Sequence, residues 1–172
     1  MTATVGGAVP TPPNNTTTFL RGDGTFAAPS GGFTSQVKAY LGSNQTISTG
    51  FGSRATLVLD TESYDTGSEF NTGTYTFTAA ATGYYQVCAT LNWGSWVANT
   101  GFEFYMVIAT VEKLMYNLDM NNGTGAWVFN YSQVIKLSAT NTLSFKAAQY
   151  TGSNKTLTGG DYSSWVTITR VG

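Results

Sequence analysis

Hydrophobic and polar residues alternate in short segments along the chain from about residue 33 onward. In GFEFYMVI, residues 101–108, Phe102 and Phe104 fall on one face and Glu103 on the other. The segment GYYQVCATLNW, residues 83–93, alternates in the same way, but its second face is only half polar. A two-residue period rich in aromatic and β-branched side chains is typical of β-strands. Both segments are therefore predicted to be strands.

Similar alternation recurs in seven further segments. They are YTFTA, TSQVKAYL, ATLVLD, KLMYNLDM, AWVFNYSQVIKLS, NTLSFKAAQ and SSWVTITRV. Turn-forming residues separate them, as in TGS, NTG, ATG, NNGTG and SATN, and no segment requires a helix. Many short strands at regular spacing predict an all-β fold, an antiparallel sandwich with jelly-roll topology.

The first 32 residues differ in kind from the rest. They contain all the prolines of the chain, Pro10, Pro12, Pro13 and Pro29. Because proline fixes the backbone angle φ and removes a hydrogen-bond donor, this segment is expected to be extended rather than helical. We predict an extended N-terminal segment at residues 1–32 and a folded head domain at residues 33–172.

The composition narrows the classes of partner. Only 10% of the 172 residues are charged and the net charge is −1, so the chain has no basic surface for nucleic acid or anionic lipid. Weak charge repulsion between copies favours self-association. The start of the sequence lacks the basic and apolar regions of a cleaved secretory signal, and no apolar run is long enough to span a membrane. We expect neither export by a cleaved signal nor membrane insertion.

Residues suited to catalysis are scarce. The chain has no histidine and one cysteine, Cys88, so the usual general base and the commonest transition-metal ligand are missing. Cys88 lies in the middle of a predicted strand and is expected to be a small buried thiol. The glycines are dispersed over separate turns and form no phosphate-binding loop. We therefore expect a protein that is not an enzyme and that uses no cofactor.

Carboxylates cluster in DTESYDTGSEF, where Asp60, Glu62, Asp65 and Glu69 lie within ten residues. Two carboxylates across a cleft are what a glycosidase uses, and several converging oxygens are what calcium requires. The path of this segment does not follow from the sequence, so both alternatives stay open. A solvated loop is the favoured interpretation, and Asp60, Glu62 and Asp65 are weak metal-binding candidates only.

Aromatic residues exceed what one core layer of such a sandwich needs. Tyr84, Tyr105 and Trp165 fall on faces opposite the expected core, and we predict that they line an interface between subunits. The alternative is that they fill a second layer of the same sandwich. In the loop NWGSWVANTGF, Trp93, Trp96 and Asn99 are candidates for a saccharide-binding surface, because exposed indoles stack on sugar rings and amides bond their hydroxyls. A packed crossover is an equally good interpretation of that loop.

Two parts of the chain resemble known families. LDTESYDTGSEFNTGTYTFTAAATGYYQVCATLNW, residues 59–93, resembles the central signature of the complement component 1q globular head, a jelly-roll relative of tumour necrosis factor. The matching residues are Gly73, Tyr75, Phe77, Gly83, Tyr84 and Tyr85. SQVIKLSATNTLSFKAAQY and GGDYSSWVTITRVG are similar to later strands of that family. The resemblance implies a trimeric jelly-roll head, and some of these heads bind calcium.

The second resemblance lies in FLRGDGTFAAP, residues 19–29, which looks like a short segment of phage tail-fibre and related virion proteins. Asp23 and Gly24 form a strong turn dipeptide, so the segment is expected to fold back on itself. Three copies around an axis could then pack their Phe19, Leu20 and Phe26 side chains together. We favour this turn over the alternative that the Arg-Gly-Asp tripeptide is a cell-adhesion ligand.

Together the two resemblances imply a non-enzymatic, homotrimeric fibre or spike at the virion surface, either a head fibre or a tail fibre. Its N-terminal segment would bind other virion proteins and its head would meet a host-surface glycan or protein. A capsid decoration protein, a carbohydrate-active enzyme and a secreted complement-like module are the alternatives.

Overall fold

The computed structural model describes residues 18–27, 35–50, 52–96, 100–120 and 125–172, excluding the side chains of residues 95, 96, 100 and 118–120. The chain divides into two compact units, residues 1–32 and 33–172. The described residues form strands, turns and loops, and none of them belongs to a helix that could cross a membrane.

The described part of the first unit is a β-hairpin. Strands β1 (Phe19–Leu20) and β2 (Phe26–Ala27) pair antiparallel. The Asp23 Oδ1 atom accepts hydrogen bonds from the Thr25 amide at 2.9 Å and the Thr25 hydroxyl at 2.7 Å. Gly24 has a φ of 80°, which favours glycine. The predicted Asp-Gly turn is confirmed.

Within its described residues, the second unit contains thirteen strands. They are β3 (Gln36–Tyr40), β4 (Gln45–Ile47), β5 (Ala55–Thr56), β6 (Thr61–Asp65), β7 (Phe70–Asn71), β8 (Thr76–Thr78), β9 (Gly83–Trp96), β10 (Thr100–Ile108), β11 (Val111–Met120), β12 (Gly125–Leu137), β13 (Thr142–Gln149), β14 (Lys155–Leu157) and β15 (Trp165–Arg170).

These strands form two sheets. One has the order β11-β10-β13-β8-β7, with β5 also paired to β13. The other has the order β4-β14-β9-β15-β3-β6, with β12 on the free side of β9. All of these strand pairs are antiparallel, so the prediction of an all-β antiparallel sandwich is confirmed.

The core lies between the sheets and follows the two-residue period of the sequence. The odd-numbered residues of β9 from Tyr85 to Trp93 are buried, as are Phe102 and Phe104 of β10. The Trp93 and Phe102 rings meet edge to face, with centroids 5.1 Å apart. Each large apolar side chain buried in this way stabilises the fold by about 1.5–3 kcal/mol.

Three predicted strand or loop segments differ from the structure. In ATLVLD only β5 is a strand, because the Gln45 side chain bonds the Thr56 carbonyl at 2.7 Å and the Val58 amide at 3.0 Å in place of a neighbouring strand. Tyr75 has a φ of 58° and belongs to the turn before β8. The acidic segment predicted as a solvated loop contains β6, which pairs with β3.

Candidate oligomer interface

One outer surface of the sandwich is almost free of charge. It consists of outward-facing residues of β9, β12 and β15, and we call it the neutral face. Its members are Tyr84, Gln86, Cys88, Thr90, Val128, Asn130, Ser132, Val134, Trp165 and Thr167. They are outward because the alternate residues of the same strands point into the core. Lys136, paired in register with Tyr84, is a charged residue at the border of this face.

Polar side chains at the centre of the neutral face bond one another. Thr90 Oγ1 donates to Asn130 Oδ1 at 2.9 Å, and Gln86 Nε2 donates to Ser132 Oγ at 3.4 Å. Cys88 Sγ lies 3.4 Å from the same Ser132 oxygen. Because these groups have partners within the face, another protein can cover them at a lower desolvation cost than unpaired groups would incur.

A shallow groove of about 320 Å³ runs over the centre of this face. Cys88, Thr90, Asn130 and Ser132 line it together with the Trp165 ring. The thiol is half-buried, so the expectation of a buried core cysteine was wrong. It faces outward because its strand neighbours Val87 and Ala89 occupy the core side.

The groove is bordered by an ion pair. The Lys38 ammonium lies 5.5 Å from the Trp165 ring centroid and 2.7 Å from Asp161 Oδ1. Hydrogen bonds from Lys38 and from the Ser63 hydroxyl lower the pKa of Asp161. The charges at this edge therefore compensate one another, as expected at the polar rim of an interface.

Large apolar side chains stay exposed on and beside the neutral face. Tyr84 is 53% exposed, and Val128 and Val134 of β12 are also exposed. Contiguous exposed apolar groups with a polar border are typical of protein contact surfaces.

The structure brings two of the predicted interface residues to this face. Tyr84 and Trp165 both belong to it; Trp165 pairs with Thr90, six residues from Tyr84 along β9, or about 20 Å. Tyr105 does not belong to it. It lies on the other sheet, is only 4% exposed and packs under the Arg54 guanidinium, 4.4 Å from the ring centroid. The prediction for Tyr105 was wrong because a loop residue distant in sequence covers it.

The hairpin carries the other three predicted interface residues. Phe19 is 61% exposed, Leu20 is 48% exposed and Phe26 is half-buried. A hairpin with two residues in each strand has too little surface to bury these side chains by itself. Their packing around a three-fold axis stays a prediction.

The predicted saccharide-binding loop is not supported at Trp93. This side chain is fully buried in the core against Phe102, so it cannot stack on a sugar. Trp96 ends β9, but its side chain lies outside the described part of the structure, and Asn99 lies outside the described residues altogether.

The acidic residues have separate structural roles. Asp60 Oδ1 accepts from the Gly42 amide at 2.7 Å, and the Asp65 carboxylate accepts from the amides of Gly67 at 3.1 Å and Phe70 at 2.8 Å. Burial and the nearby Asp65 charge raise the pKa of Glu62. No group of three or more metal-ligating side chains occurs within the described residues. Asp60, Glu62 and Asp65 therefore do not converge on a metal site.

Sequence reasoning missed the polar centre of the neutral face, Asn130 and Ser132, and the buried position of Glu69. One signal for the neutral face was present, namely the half-polar second face of residues 83–93. No signal placed β12 beside that strand.

No protein family model and no curated protein sequence matches the chain. Solved structures share its fold. A tumour necrosis factor from S. frugiperda, Eiger, has 9% identity and a TM-score of 0.55 over 80% of this chain and 94% of its own. The globular domain of zebrafish complement 1qA has 11% identity and a TM-score of 0.53 over 81% and 98%. The vertex protein P5 of PRD1 has 12% identity and a TM-score of 0.56 over 83% and 100%. The predicted jelly-roll class is confirmed.

Proposed function

We propose that this protein is a homotrimeric, non-enzymatic structural protein of a virus particle. Its neutral faces join three heads, its N-terminal segment attaches to other virion proteins, and its head projects to contact the host surface. The observation that carries the proposal is the neutral face, a surface almost free of charge whose central polar groups already bond one another.

The neutral face has the features of a contact surface between copies of one chain. It combines exposed tyrosine and valine side chains with a polar centre and a charge-compensated edge at Lys38 and Asp161. Depletion of charge at the centre and enrichment in aromatic residues distinguish interface cores from ordinary surface. The family resemblance of residues 59–93 supports three copies rather than two.

Two observations support a place on a virus particle. Residues 19–29 resemble a segment of phage fibre proteins, and their hairpin exposes Phe19 and Leu20, as a segment that needs neighbours would. One structure of similar fold is that of a phage vertex protein, and the similarity extends over the whole of that chain.

The oligomeric state and the accessibility of Cys88 test the trimer together. Mass measurement in solution is expected to give three chains. Because Cys88 is the only cysteine, a maleimide reagent reports on the neutral face alone. Labelling should be slow in the native protein and fast after dilution-induced dissociation. Ala139→Cys in a Cys88→Ser background places the thiol in an exposed turn and is the control that should label quickly in both states.

A charge at the centre of the face provides a second test. Ser132→Lys should give folded monomers, because an unpaired ammonium would be buried at the contact. Ser144→Lys, on the outer side of β13 in the other sheet, is the matched control and should remain trimeric. A stable wild-type monomer at micromolar concentration contradicts the proposal. Trimers that bind neither host cells nor host-surface glycans would instead indicate a capsid decoration protein.

A further inference from the structure

A second cavity, which we call the end cavity, lies where β15 ends beside β9 and the residue before β3. It has a volume of about 230 Å³ and is lined by Ser35, Gly67, Glu69, Tyr85 and Arg170, with Ala80 and Ala81 beside them. One water molecule needs only about 10–15 Å³, so the cavity has room for more than a single water. None of these residues belongs to the neutral face.

Three residues that line this cavity each have a buried polar atom without a partner among the described residues. Glu69 is 7% exposed; its Oε1 atom accepts from the Ala80 amide at 2.9 Å, but its Oε2 atom has no partner. Ser35 is 5% exposed and its hydroxyl has none. Arg170 Nη2 donates to the Thr82 carbonyl at 3.2 Å, whereas Nε has no acceptor.

Unpaired buried polar atoms are rare in folded proteins because each one has lost its water without gaining a bond. Three of them lining one cavity are better explained by a bound molecule than by three independent defects. The cavity therefore has the polar lining of a ligand site.

The charges of the cavity select against a charged ligand. Glu69 and Arg170 carry opposite charges and both line it, yet they form no ion pair with each other. A cation would meet the Arg170 guanidinium and an anion the Glu69 carboxylate. A neutral molecule that donates to Glu69 Oε2 and accepts from Arg170 Nε satisfies both groups.

Gly67 keeps space open beside the carboxylate. A Cβ atom at this position would lie 2.8 Å from Glu69 Oε2 and 3.1 Å from its carboxyl carbon. Its φ is not in the left-handed region, so the backbone conformation does not require glycine. The space beside Glu69 does require it.

We propose that the end cavity binds a neutral polyol, such as the adjacent hydroxyl groups of a sugar. One hydroxyl donates to Glu69 Oε2, the next accepts from Arg170 Nε, and the Ser35 hydroxyl bonds either of them. The small side chains of Ala80 and Ala81 leave room for the carbon skeleton. This inference does not rest on the trimer or on the virion role.

Saturation-transfer NMR on the full-length protein tests the ligand class. The neutral probes are erythritol and methyl α-glucoside, and the comparison probes are acetamide, acetate and ethylammonium. The polyols are expected to bind saturably, with acetate and ethylammonium at least about tenfold weaker. Tighter binding of a charged probe or of acetamide, or no saturable binding of either polyol, overturns the proposal.

Substitutions at Gly67 and Ser35 test whether the end cavity is the site at which the polyols bind. Gly67→Ala should weaken polyol binding at least about tenfold, because the new methyl group crowds Glu69 Oε2. Gly94→Ala is the matched control, since its Cβ would meet nothing closer than 3.8 Å, and it should bind as the wild type does. Ser35→Ala should weaken binding without lowering the melting temperature, since its hydroxyl has no protein partner. Unchanged binding in both Gly67→Ala and Ser35→Ala overturns the site.

A third experiment distinguishes whether the polyol is part of a glycan or a free small molecule. Binding to an immobilised oligosaccharide that ends in the same sugar assigns the cavity to a glycan terminus. Binding of the free polyols alone assigns it to a small soluble molecule, and either result supports the site. The mass measurement described for the trimer is independent, so failure of the polyol proposal is distinguishable from failure of the proposed function.

Discussion

The outer faces of the two sheets have opposite chemistry. On the six-stranded sheet, Arg54 covers Tyr105 and bonds Glu112 at 2.9 Å, and Glu112 also pairs with Lys146. The Glu103 carboxylate accepts hydrogen bonds from the hydroxyls of Tyr105 and Tyr150. We call these six residues the charged network. Among the described residues, no such network lies at the centre of the neutral face, and its ion pair, Lys38 with Asp161, is at the border.

The difference shows that the two outer faces of one sandwich can be suited to different environments, one to solvent and the other to contact with protein. The charged network satisfies its groups with one another and covers its aromatic ring with its own loop, so it needs no partner. The neutral face leaves Tyr84, Val128 and Val134 exposed, and its charges lie only at its border, at Lys136 and at the Lys38–Asp161 pair. Substitutions on the two faces should therefore affect different properties.

The largest effect on the single chain is expected at Tyr105. Tyr105→Ala should lower the free energy of unfolding by about 3–5 kcal/mol, because it removes a buried ring and a donor to Glu103. The oligomeric state should not change. Chemical denaturation and mass measurement check both parts, and dissociation of a still-folded Tyr105→Ala protein would contradict the division between the faces.

A smaller loss is expected at Tyr150. Tyr150→Phe keeps the ring and removes one hydrogen bond to the Glu103 carboxylate, which should cost about 1.5–3 kcal/mol. Tyr162→Phe is the control, because Tyr162 is exposed and its hydroxyl should contribute nothing measurable. Equal stability of the two variants would show that the charged network does not stabilise the fold.

Alkaline pH should weaken the charged network next. Burial, and then the Glu103 carboxylate, raise the pKa of both Tyr105 and Tyr150. Because the pKa of each tyrosine is higher in the folded than in the unfolded chain, folding favours the protonated hydroxyl. The stability that these hydroxyls contribute is present below about pH 10 and is lost as the pH rises further. Denaturation measured from pH 8 to 11 should show a loss that is smaller in Tyr150→Phe. A rise in stability over this range would contradict it.

On the neutral face, Tyr84→Ala should change the unfolding of the isolated chain by less than about 0.5 kcal/mol, since the side chain is largely exposed. It should nevertheless weaken association, seen as a lower melting temperature at a given protein concentration and as dissociation at higher concentration than in the wild type. The sharpest contrast is with Tyr105→Ala, where stability falls and association does not.

The smallest effect is expected for Glu112→Gln. Hydrogen bonds from Lys146 and Arg54 lower the pKa of Glu112. The stability that the ionised Glu112 carboxylate contributes is therefore present above the ordinary pKa of a glutamate. It is lost as the pH falls through the lower pKa that Glu112 has in the folded protein. Because these side chains are about a third exposed, the effect should be slight and should vanish in high salt. Association through the neutral face should be indifferent to the same salt.

Local patterns predicted the fold better than they predicted the site. The alternation of residues 83–93 already placed Trp93 on the same side as Val87 and Leu91, which is the core side, and the structure agrees. The saccharide hypothesis for Trp93 set that pattern aside in favour of its neighbouring polar residues. The two-residue alternation predicted the position of Trp93 correctly because it indicates which face of the strand is buried.

Contacts between distant segments could not be predicted. Arg54 covers Tyr105 across 51 positions of the sequence, and the end cavity combines Ser35, Glu69 and Arg170 from three separate regions. Tyr84 and Trp165 could be predicted for the opposite reason, since the outward position of each follows from its own strand. The outward position of a residue, which depends on one strand, was predicted, whereas contacts that depend on several segments were not.

The small hairpin has a consequence for timing. Two paired residues on each side hold Phe19 and Leu20 only weakly in place, so under the proposed function this hairpin would be stabilised only after three heads have associated. A single newly made chain would then present an unfinished attachment segment, and the particle would incorporate complete assemblies in preference to loose chains. The weak pairing of β1 and β2 would thus determine the order of assembly.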